Sequence, residues 1–352
     1  MAVETGGTFQ NFAIRKARER AAGKLIPREA HLELTHRCNL RCFHCYLECG
    51  SNEAMPRELS ADELSGILDQ LFELGVYFVI FSGGEPFIRP DVFEVMNHAR
   101  ERGLFFGAMS NGTLITESVA DRVKELGIMG VDVTLCGATP SSHEQVTGVP
   151  GSFAKAVSAI RLLRERKIRV GVKTTLMKCN SGEHSQIESL ARSLGASYRP
   201  DPIVFSKVGH PASAAGIRMD DEQLRNIVAE RNWVPDDADP AGCRMESHLT
   251  CGAGRTRCAI SPQGDVFPCT LWRTPLGNLR DRSFAEIWRG ETAGRIRSIT
   301  CEDLEQCSGC DLVSYCARCP GLIFVEDGDI LGPSSENCRL AGATKGVKDG
   351  RN

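Results

Sequence analysis

Three cysteines lie close together near the start of the chain, in the segment THRCNLRCFHCY. Cys38, Cys42 and Cys45 have the spacing C-x3-C-x2-C, which is short enough for one loop to hold a single iron–sulfur cluster. A 4Fe–4S cluster normally takes four cysteines, so three of them leave one iron open to a substrate or cofactor. The alternative is a zinc site completed by His36 or His44, although zinc sites usually place their cysteines in separated pairs.

A second group of cysteines occupies the last third of the chain. Their spacing is C-x6-C-x10-C, followed by C-x2-C-x5-C-x2-C and one later cysteine. Eight thiolates suffice for two four-ligand sites, and this spacing alone is compatible with zinc as well as with iron–sulfur clusters. The residues are Cys251, Cys258, Cys269, Cys307, Cys310, Cys316, Cys319 and Cys338.

Composition restricts the class of protein. The chain has 352 residues, sixteen cysteines and a formal net charge of -3. That charge gives no basic field of the kind that nucleic-acid-binding proteins present, and no apolar run is long enough for a signal peptide or a membrane span. We therefore expect a cytoplasmic protein with no nucleic-acid or membrane partner. Because that compartment keeps thiols reduced, we expect metal ligands rather than disulfides.

Short apolar segments alternate with helical patterns between about residues 31 and 235. Ser60 and Glu63 form a capping box at the start of one predicted helix. The alternation predicts a parallel sheet, open or curled into a barrel, in which ligands bind at the carboxyl ends of the strands. The cysteine loop, Ser82–Pro86, Ser110–Gly112 and Cys136 each follow a strand and so meet at that edge. The six predicted strands are 31–35, 76–81, 104–109, 131–135, 168–177 and 197–205.

The character of the chain changes at about residue 236, where it becomes rich in Cys, Gly and Pro and poor in helical patterns. This change predicts a second, metal-organised domain. We expect an N-terminal extension at 1–30, a parallel-sheet domain at 31–235, a cysteine-rich domain at 236–340 and a flexible polar tail at 341–352.

The combination of C-x3-C-x2-C after the first strand and SGGEP after the second resembles the radical S-adenosylmethionine (SAM) superfamily, over nearly the whole chain. The resemblance implies an α/β fold, a partial (β/α)6 radical SAM barrel followed by a small cysteine-rich SPASM domain. It also implies that Cys38, Cys42 and Cys45 hold a cluster whose open iron binds SAM. One electron from the reduced cluster then breaks the sulfonium, and a 5′-deoxyadenosyl radical removes a hydrogen atom from the substrate.

The same resemblance implies which residues surround SAM. Standing alone, GGEP would be a turn after a strand, but between the cysteine loop and SNG it resembles the family motif that receives the SAM ammonium group. Thr147 occupies a position that is often arginine and is not expected to bind SAM. Cys136 is expected to be a buried residue at a strand end. The implied SAM-binding residues are His44, Gly83, Gly84, Glu85, Ser110, Asn111 and Thr134.

The distal cysteines resemble the SPASM extension, except that two residues rather than three separate Cys316 from Cys319. The family's crossed arrangement implies two auxiliary 4Fe–4S clusters that transfer electrons, which makes three clusters with the first. One set would be Cys251, Cys258, Cys269 and Cys319, and the other Cys307, Cys310, Cys316 and Cys338. Structural roles are expected for the other cysteines, which are Cys49, Cys136, Cys179, Cys243 and Cys301. Of these, Cys49 and Cys179 are also candidate hydrogen donors.

The resemblance also bears on the reaction. Relatives that oxidise sulfatases carry aspartate directly after the third SPASM cysteine, where this chain has Thr270, so sulfatase maturation is disfavoured. The segment TLCGATPSSHEQVTGVPGSF resembles peptide maturases. We therefore predict a radical SAM oxidoreductase that crosslinks, epimerises or excises backbone from a ribosomally synthesised precursor peptide. The alternatives are tetrapyrrole side-chain modification in the haem pathway and a non-enzymatic, zinc-organised scaffold.

Two further partners are expected. Many peptide maturases have an N-terminal leader-binding domain, whereas the first predicted strand here begins at residue 31. The sequence therefore predicts a separate leader-binding protein or recognition by the barrel itself. An electron donor such as flavodoxin or ferredoxin would reduce the cluster. The residue that acts as catalytic base or quenches the radical is not identified by any motif.

Overall fold

Six parallel strands form most of one sheet in the computed structural model, which describes residues 25–47, 57–231, 251–304 and 306–350. They are β1 (Glu29–Thr35), β2 (Phe78–Gly83), β3 (Phe105–Ser110), β4 (Val131–Thr134), β5 (Val170–Thr175) and β6 (Ser197–Asp201). Consecutive strands are neighbours in the order β6-β5-β4-β3-β2-β1, and a helix follows each of them. All six predicted strands are thus confirmed, and the architecture is the predicted partial (β/α)6 barrel.

In the described residues, the helices lie between and after these strands. The predicted capping box begins the first one, α1, because Ser60 Oγ accepts a hydrogen bond from Glu63 N at 3.2 Å and Glu63 Oε2 accepts one from Ser60 N at 2.8 Å. No helix in the described part of the chain is long and apolar enough to cross a membrane. The helices are α1 (Ala61–Leu74), α2 (Val92–Glu101), α3 (Glu117–Glu125), α4 (Pro140–Thr147), α5 (Ser152–Glu165), α6 (His184–Ser193), α7 (Asp221–Arg231), α8 (Phe284–Arg289), α9 (Glu291–Ser298), α10 (Pro320–Glu326) and α11 (Ser335–Lys348).

The two faces of the sheet differ because successive side chains of a strand point to opposite sides. On one face Leu32, Phe81 and Val133 are fully buried in the main core, together with helix residues such as Leu68. The interior face of the partial barrel takes the alternate positions, and in β1 these include Glu33. The apolar face therefore fixes the sheet against its helices, while the interior face is left for polar groups.

The cysteine-rich region continues the same sheet. β7 (Arg257–Ile260) runs parallel to β1, and β8 (Asp265–Phe267) and β9 (Gly277–Asn278) follow as antiparallel strands. Gly264 supports the turn between β7 and β8 with a φ of 93°. Among the described residues the sheet is therefore mixed and has nine strands. The linker predicted near residue 236 lies outside the described residues.

The prediction of a flexible tail from residue 341 is wrong as far as Lys348, because these residues complete α11. Leu340, Ala343 and Val347 pack against a small core that includes Leu224 and Val228 of α7. Two glycines in the segment have low helix propensity, but burial of this apolar stripe offsets that preference. The helix therefore depends on tertiary packing that the local sequence does not reveal.

Candidate active site

Backbone hydrogen bonds of the SGGEP segment connect the end of β2 to the start of the cysteine loop. The backbone N–H of Gly84 donates to Thr35 O at 2.7 Å, and that of Glu85 donates to Arg37 O at 2.9 Å. A Cβ atom on Gly83 would lie 2.1 Å from Thr35 O, and one on Gly84 would lie 2.3 Å from Arg37 O. Gly83 also has a φ of 131°, which L side chains rarely adopt. Both positions therefore require glycine for the loop to sit against the strand.

Glu85 joins the ends of β2 and β3. Its carboxylate is fully buried and accepts hydrogen bonds from Ser110 Oγ at 2.9 and 3.1 Å, from Asn111 N at 2.7 Å and from Phe87 N at 3.2 Å. Burial raises the pKa of Glu85 to about 7, although these donors act in the opposite direction. The sequence predicted Glu85, Ser110 and Asn111 as separate SAM contacts. In the structure these three residues bind one another.

Asn111 extends this connection to the cysteine loop. Its Nδ2 donates to Asn39 Oδ1 at 2.9 Å and lies 3.7 Å from Cys38 Sγ. Its Oδ1 accepts hydrogen bonds from the backbone N–H and the hydroxyl of Thr113 at 2.8 and 2.6 Å. The amide is therefore held with its donor group towards a cysteine sulfur. An amide donor of this kind stabilises a thiolate ligand.

The thiols of the cysteine loop lie close enough to influence one another. Cys38, Cys42 and Cys45 are free and partly buried. Burial raises the pKa of Cys42, and the neighbouring thiols of Cys136, Cys45 and Cys38 raise it further. No three Cys, His, Asp or Glu side chains of the described residues converge as they would around a single metal ion. The donor set nevertheless fits an iron–sulfur cluster, because three thiols lie beside an amide hydrogen-bond donor.

Helix α4 holds the other side of the loop. Arg41 N donates to Thr147 O at 2.9 Å, and Phe43 N donates to Val146 O at 3.3 Å. The Thr147 hydroxyl is buried and shares a hydrogen bond of 2.7 Å with Ser152 Oγ. Because that hydroxyl is engaged within the fold, the structure gives Thr147 a structural contact.

His44 lies within the loop, and burial lowers the pKa of its imidazole to about 4. The ring is therefore neutral near pH 7. Its Nδ1 is buried and has no hydrogen-bond partner among the described residues. A buried polar atom without a partner is unfavourable unless a ligand supplies one. This atom fits the predicted contact with the adenine of SAM. The side chain of Thr134, half-buried at the end of β4, forms no hydrogen bond with the described residues.

The distal cysteines separate into two groups in space. Burial raises the pKa of Cys316, and the thiols of Cys338, Cys307 and Cys310 raise it further. The four thiols of one implied set therefore lie near one another. They include Cys338, which follows the others at a distance in sequence, at the start of α11.

The second group contains Cys319 rather than its sequence neighbour Cys316. Burial raises the pKa of Cys269 to about 11, and the thiols of Cys319 and Cys251 contribute in the same direction. Cys258 stands apart from this trio electrostatically: it is 2% exposed and its Sγ lies 4.0 Å from Glu29 O. The structure thus brings together three residues of the second implied set and places the fourth in β7 beside β1.

The remaining cysteines have different environments. Cys136 is fully buried with Val146 and Met177, while Cys179 is exposed. Cys301 is 3% exposed and disulfide-bonded, so the expectation that no cysteine would be paired is wrong for this residue. Cys49 and Cys243 lie outside the described residues.

One part of the interior was missed by the sequence analysis. Glu33 is fully buried, and its carboxylate meets Arg273 Nη2 at 2.6 Å, His36 Nε2 at 3.3 Å and Tyr46 OH at 3.4 Å. Burial alone would raise the pKa of Glu33, but the His36 hydrogen bond and the charge of Arg273 lower it to about 2. A signal was present, because HLELT alternates polar residues with leucines inside an otherwise buried strand.

Comparison with known proteins agrees with this geometry. Residues 32–192 match the family model of the radical SAM superfamily, and residues 251–320 match the SPASM iron–sulfur cluster-binding domain. The AdoMet-dependent heme synthase of Methanosarcina barkeri is 31% identical over 333 residues, which cover 87% of this chain and 94% of that protein. The mycofactocin maturase MftC of Mycobacterium ulcerans is 31% identical over 273 residues, which cover 73% of each chain.

Solved structures show the same fold. Streptococcus suis SuiB bound to SAM has a TM-score of 0.68 at 16% identity, covering 96% of this chain and 84% of that one. Native anSMEcpe with bound AdoMet has a TM-score of 0.70 at 16% identity, covering 92% of this chain and 98% of that one.

The chain therefore belongs to the radical SAM superfamily and carries a SPASM domain. It is a radical SAM enzyme, and its two domains imply iron–sulfur clusters and SAM as cofactors.

Proposed function

We propose that this enzyme modifies a ribosomally synthesised precursor peptide by hydrogen abstraction. Cys38, Cys42 and Cys45 would hold the SAM-binding cluster. When bound, the reduced cluster and SAM supply a 5′-deoxyadenosyl radical that takes a hydrogen atom from the substrate. Residues assigned to SAM are His44, Gly83, Gly84, Glu85, Ser110, Asn111 and Thr134. A flavodoxin or ferredoxin would supply the electron, and a separate leader-binding protein is a further proposed partner.

Two auxiliary clusters complete the proposed cofactor set. Cys307, Cys310, Cys316 and Cys338 would hold one, which agrees with their mutual electrostatic influence. Cys251, Cys258, Cys269 and Cys319 would hold the other, and three of these thiols lie together. With every iron ligated by cysteine, these clusters would transfer electrons and leave substrate binding to the barrel.

The observation that favours a peptide is the mixed charge of the barrel interior. The face that contains Glu33 also contains Asp132, Lys173, Arg199 and Asp201, as the strand register requires. Burial raises the pKa of both Asp132 and Asp201, and Lys173 lowers it. Charges of both signs suit backbone amides and polar side chains, whereas a tetrapyrrole macrocycle would need broad apolar walls.

The chain's own residues prepare this interior for radical chemistry. The contacts from Glu85 to Ser110 and Asn111 hold two strand ends in one position beside the cysteine loop. The His31 imidazole shares a hydrogen bond with Ser82, and burial lowers its pKa to about 4. A neutral His31 adds no positive charge beside Arg273. The interior therefore presents polar groups that are fixed in position beside the cysteine loop.

The test is anaerobic incubation of the reconstituted enzyme with SAM, a reductant and a candidate precursor peptide encoded beside the gene. Mass spectrometry should find 5′-deoxyadenosine and a peptide that has lost hydrogen or changed its backbone. Cys42→Ala should abolish both products, whereas Arg161→Gln, which changes an exposed side chain of α5, should retain them. SAM cleavage that depends on a tetrapyrrole and never on a peptide would reject the proposal.

Tetrapyrrole side-chain removal is the second candidate. It is favoured by one observation, which is that relatives named AdoMet-dependent heme synthase align with 84% to 87% of this chain. Under this alternative, incubation with a propionate-bearing iron tetrapyrrole should release carbon dioxide and shift the porphyrin absorbance. The peptide should then remain unchanged in the same assay.

A further inference from the structure

A cavity of 780 Å³ lies at the amino-terminal ends of the parallel strands. The first residues of six strands line it, together with residues that directly precede these strands; the six are Glu29, Phe78, Val131, Val170, Ser197 and Arg257. The cysteine loop follows Thr35 at the opposite, carboxyl end of β1. The cavity is therefore separate from the proposed SAM site, although the interior face of the barrel connects the two ends.

The lining of the cavity is strongly basic. Five arginines and two carboxylates contribute to it, which leaves an excess of three positive charges. Arg199 Nη1 pairs with Asp132 Oδ2 at 3.0 Å, and Arg257 Nε pairs with Glu29 Oε1 at 3.5 Å. The other three form no ion pair with a carboxylate of the described residues; they are Arg28, Arg164 and Arg169.

Two of these three guanidinium groups are held in place by backbone carbonyls. Arg164 Nη1 donates to Ile168 O at 2.8 Å, and Arg169 Nε donates to Met129 O at 2.9 Å. The Nε of Arg164 is itself buried and has no hydrogen-bond acceptor in the described part of the protein. Because a buried donor without an acceptor is unfavourable, this atom points to a missing anionic ligand.

Glycines make room for such a ligand. Gly107 and Gly171 take interior positions in β3 and β5, where other strands present side chains. A Cβ atom on Gly171 would lie 2.2 Å from Asp132 Oδ1 and 3.0 Å from Arg199 Nε. The absence of a side chain at Gly171 therefore permits the Asp132–Arg199 pair and keeps this part of the cavity open.

We propose that this cavity binds an acidic stretch of the precursor peptide, with its carboxylates on Arg28, Arg164 and Arg169. The inference rests on the proposed peptide function and specifies the substrate. Guanidinium groups bind carboxylates through paired, charge-assisted hydrogen bonds. These three arginines would therefore bind carboxylates more specifically than positive charge alone would.

The cavity also sets a spacing between the acidic stretch and the reacting residue. β2 extends from Phe78 at the cavity to Gly83 beside the cysteine loop. Five steps of about 3.3 Å give a separation of about 16 Å, which an extended peptide spans in about five residues. A modified residue should therefore lie about five positions from the acidic stretch.

The test uses two fluorescein-labelled glycine–serine peptides of equal length, one with a central run of glutamates and one with glutamines in their place. Fluorescence anisotropy with the reconstituted full chain should show at least about tenfold tighter binding of the glutamate peptide. Arg28→Gln and Arg164→Gln should each remove most of this preference, and Arg164→Lys should retain part of it. The control is Arg161→Gln, an exposed arginine of the same helix α5, which should bind like the wild type.

Separate outcomes distinguish this inference from the proposed function. Equal binding of the two peptides overturns the inference, even if the wild type modifies a precursor peptide in the activity assay. The same conclusion follows if Arg164→Gln and Arg164→Lys both keep the full preference. If the wild type prefers the glutamate peptide but modifies only a tetrapyrrole, the proposed function is wrong. The cavity then binds acidic groups, but not those of a precursor peptide.

Discussion

Arg273 Nη2 lies 2.6 Å from Glu33 Oε1, although the two residues are 240 positions apart in the chain. Glu33 belongs to β1 and is fully buried, whereas Arg273 follows Cys269 in the SPASM segment. The Glu33 carboxylate also meets His36, two residues before the first cysteine of the SAM loop. This ion pair therefore connects the barrel, the cysteine loop and the SPASM segment at one buried point.

Replacing only one residue of the Glu33–Arg273 ion pair should destabilise the folded protein. Arg273→Met leaves the Glu33 carboxylate buried without its cation, and a loss of about 3–5 kcal/mol in the free energy of unfolding is expected. Thermal denaturation of the reconstituted protein under anaerobic conditions measures it. The double variant Glu33→Gln/Arg273→Met should recover part of the loss, because no charge is then left unpaired.

An exposed pair provides the control for that experiment. Arg192 Nη2 lies 2.7 Å from Glu188 Oε1 on α6, and its side chain is 75% exposed. Arg192→Met should cost no more than about 0.5 kcal/mol. Equal losses for Arg192→Met and Arg273→Met would contradict the structural importance assigned to the buried pair.

Glu85 should make stability depend on pH. Its folded-state pKa of about 7 lies above the ordinary value of 4.5, so the folded protein binds the proton more tightly than the unfolded chain. The resulting stabilisation is present below about pH 4.5 and is lost as the pH rises to about 7, by roughly 3 kcal/mol. Glu85→Gln should flatten this part of the stability profile, while Glu94→Gln, which alters an exposed carboxylate of α2, should leave it unchanged.

Gly84 should tolerate no side chain. In Gly84→Ala the new Cβ would lie 2.3 Å from the backbone oxygen of Arg37, which belongs to the cysteine loop. We expect a loss of about 2 kcal/mol in stability and at least about tenfold weaker SAM binding, measured by equilibrium dialysis. Gly66→Ala is the matched control, because nothing lies within 4 Å of a Cβ at that position of α1. That variant should gain up to about 1 kcal/mol.

The sequence predicted the strands and the cysteine loop because both depend on local patterns. Apolar runs of strand length mark β1 to β5, and the spacing of Cys38, Cys42 and Cys45 lies within one loop. Contacts between distant segments carried no such signal. The hydrogen bond from Ser110 to Glu85 joins residues that are 25 positions apart, and no local pattern predicted that contact.

In the C-terminal half, contacts between distant segments were likewise not predictable from the sequence. The pairing of β7 with β1 depends on a register between segments more than two hundred residues apart, which no local pattern encodes. Helix α11 was missed because its glycines favour irregular structure, whereas Ala343 and Val347 pack against a core formed by distant residues, which include Leu224 and Val228 of α7. The grouping of Cys319 with Cys251 and Cys269 was implied by family resemblance rather than by spacing, since Cys316 is its nearer neighbour in sequence.

That grouping can be tested by the iron content of single variants. Cys307→Ala and Cys338→Ala should each lose one cluster, about four irons, with the same change in the electron paramagnetic resonance spectrum. Cys319→Ala should instead produce the spectrum of Cys251→Ala, because those thiols belong to the other group. Cys179→Ala, which removes an exposed thiol, should retain all the iron. A Cys319→Ala spectrum that matches Cys307→Ala would mean that sequence neighbours share a cluster and that the crossed arrangement is wrong.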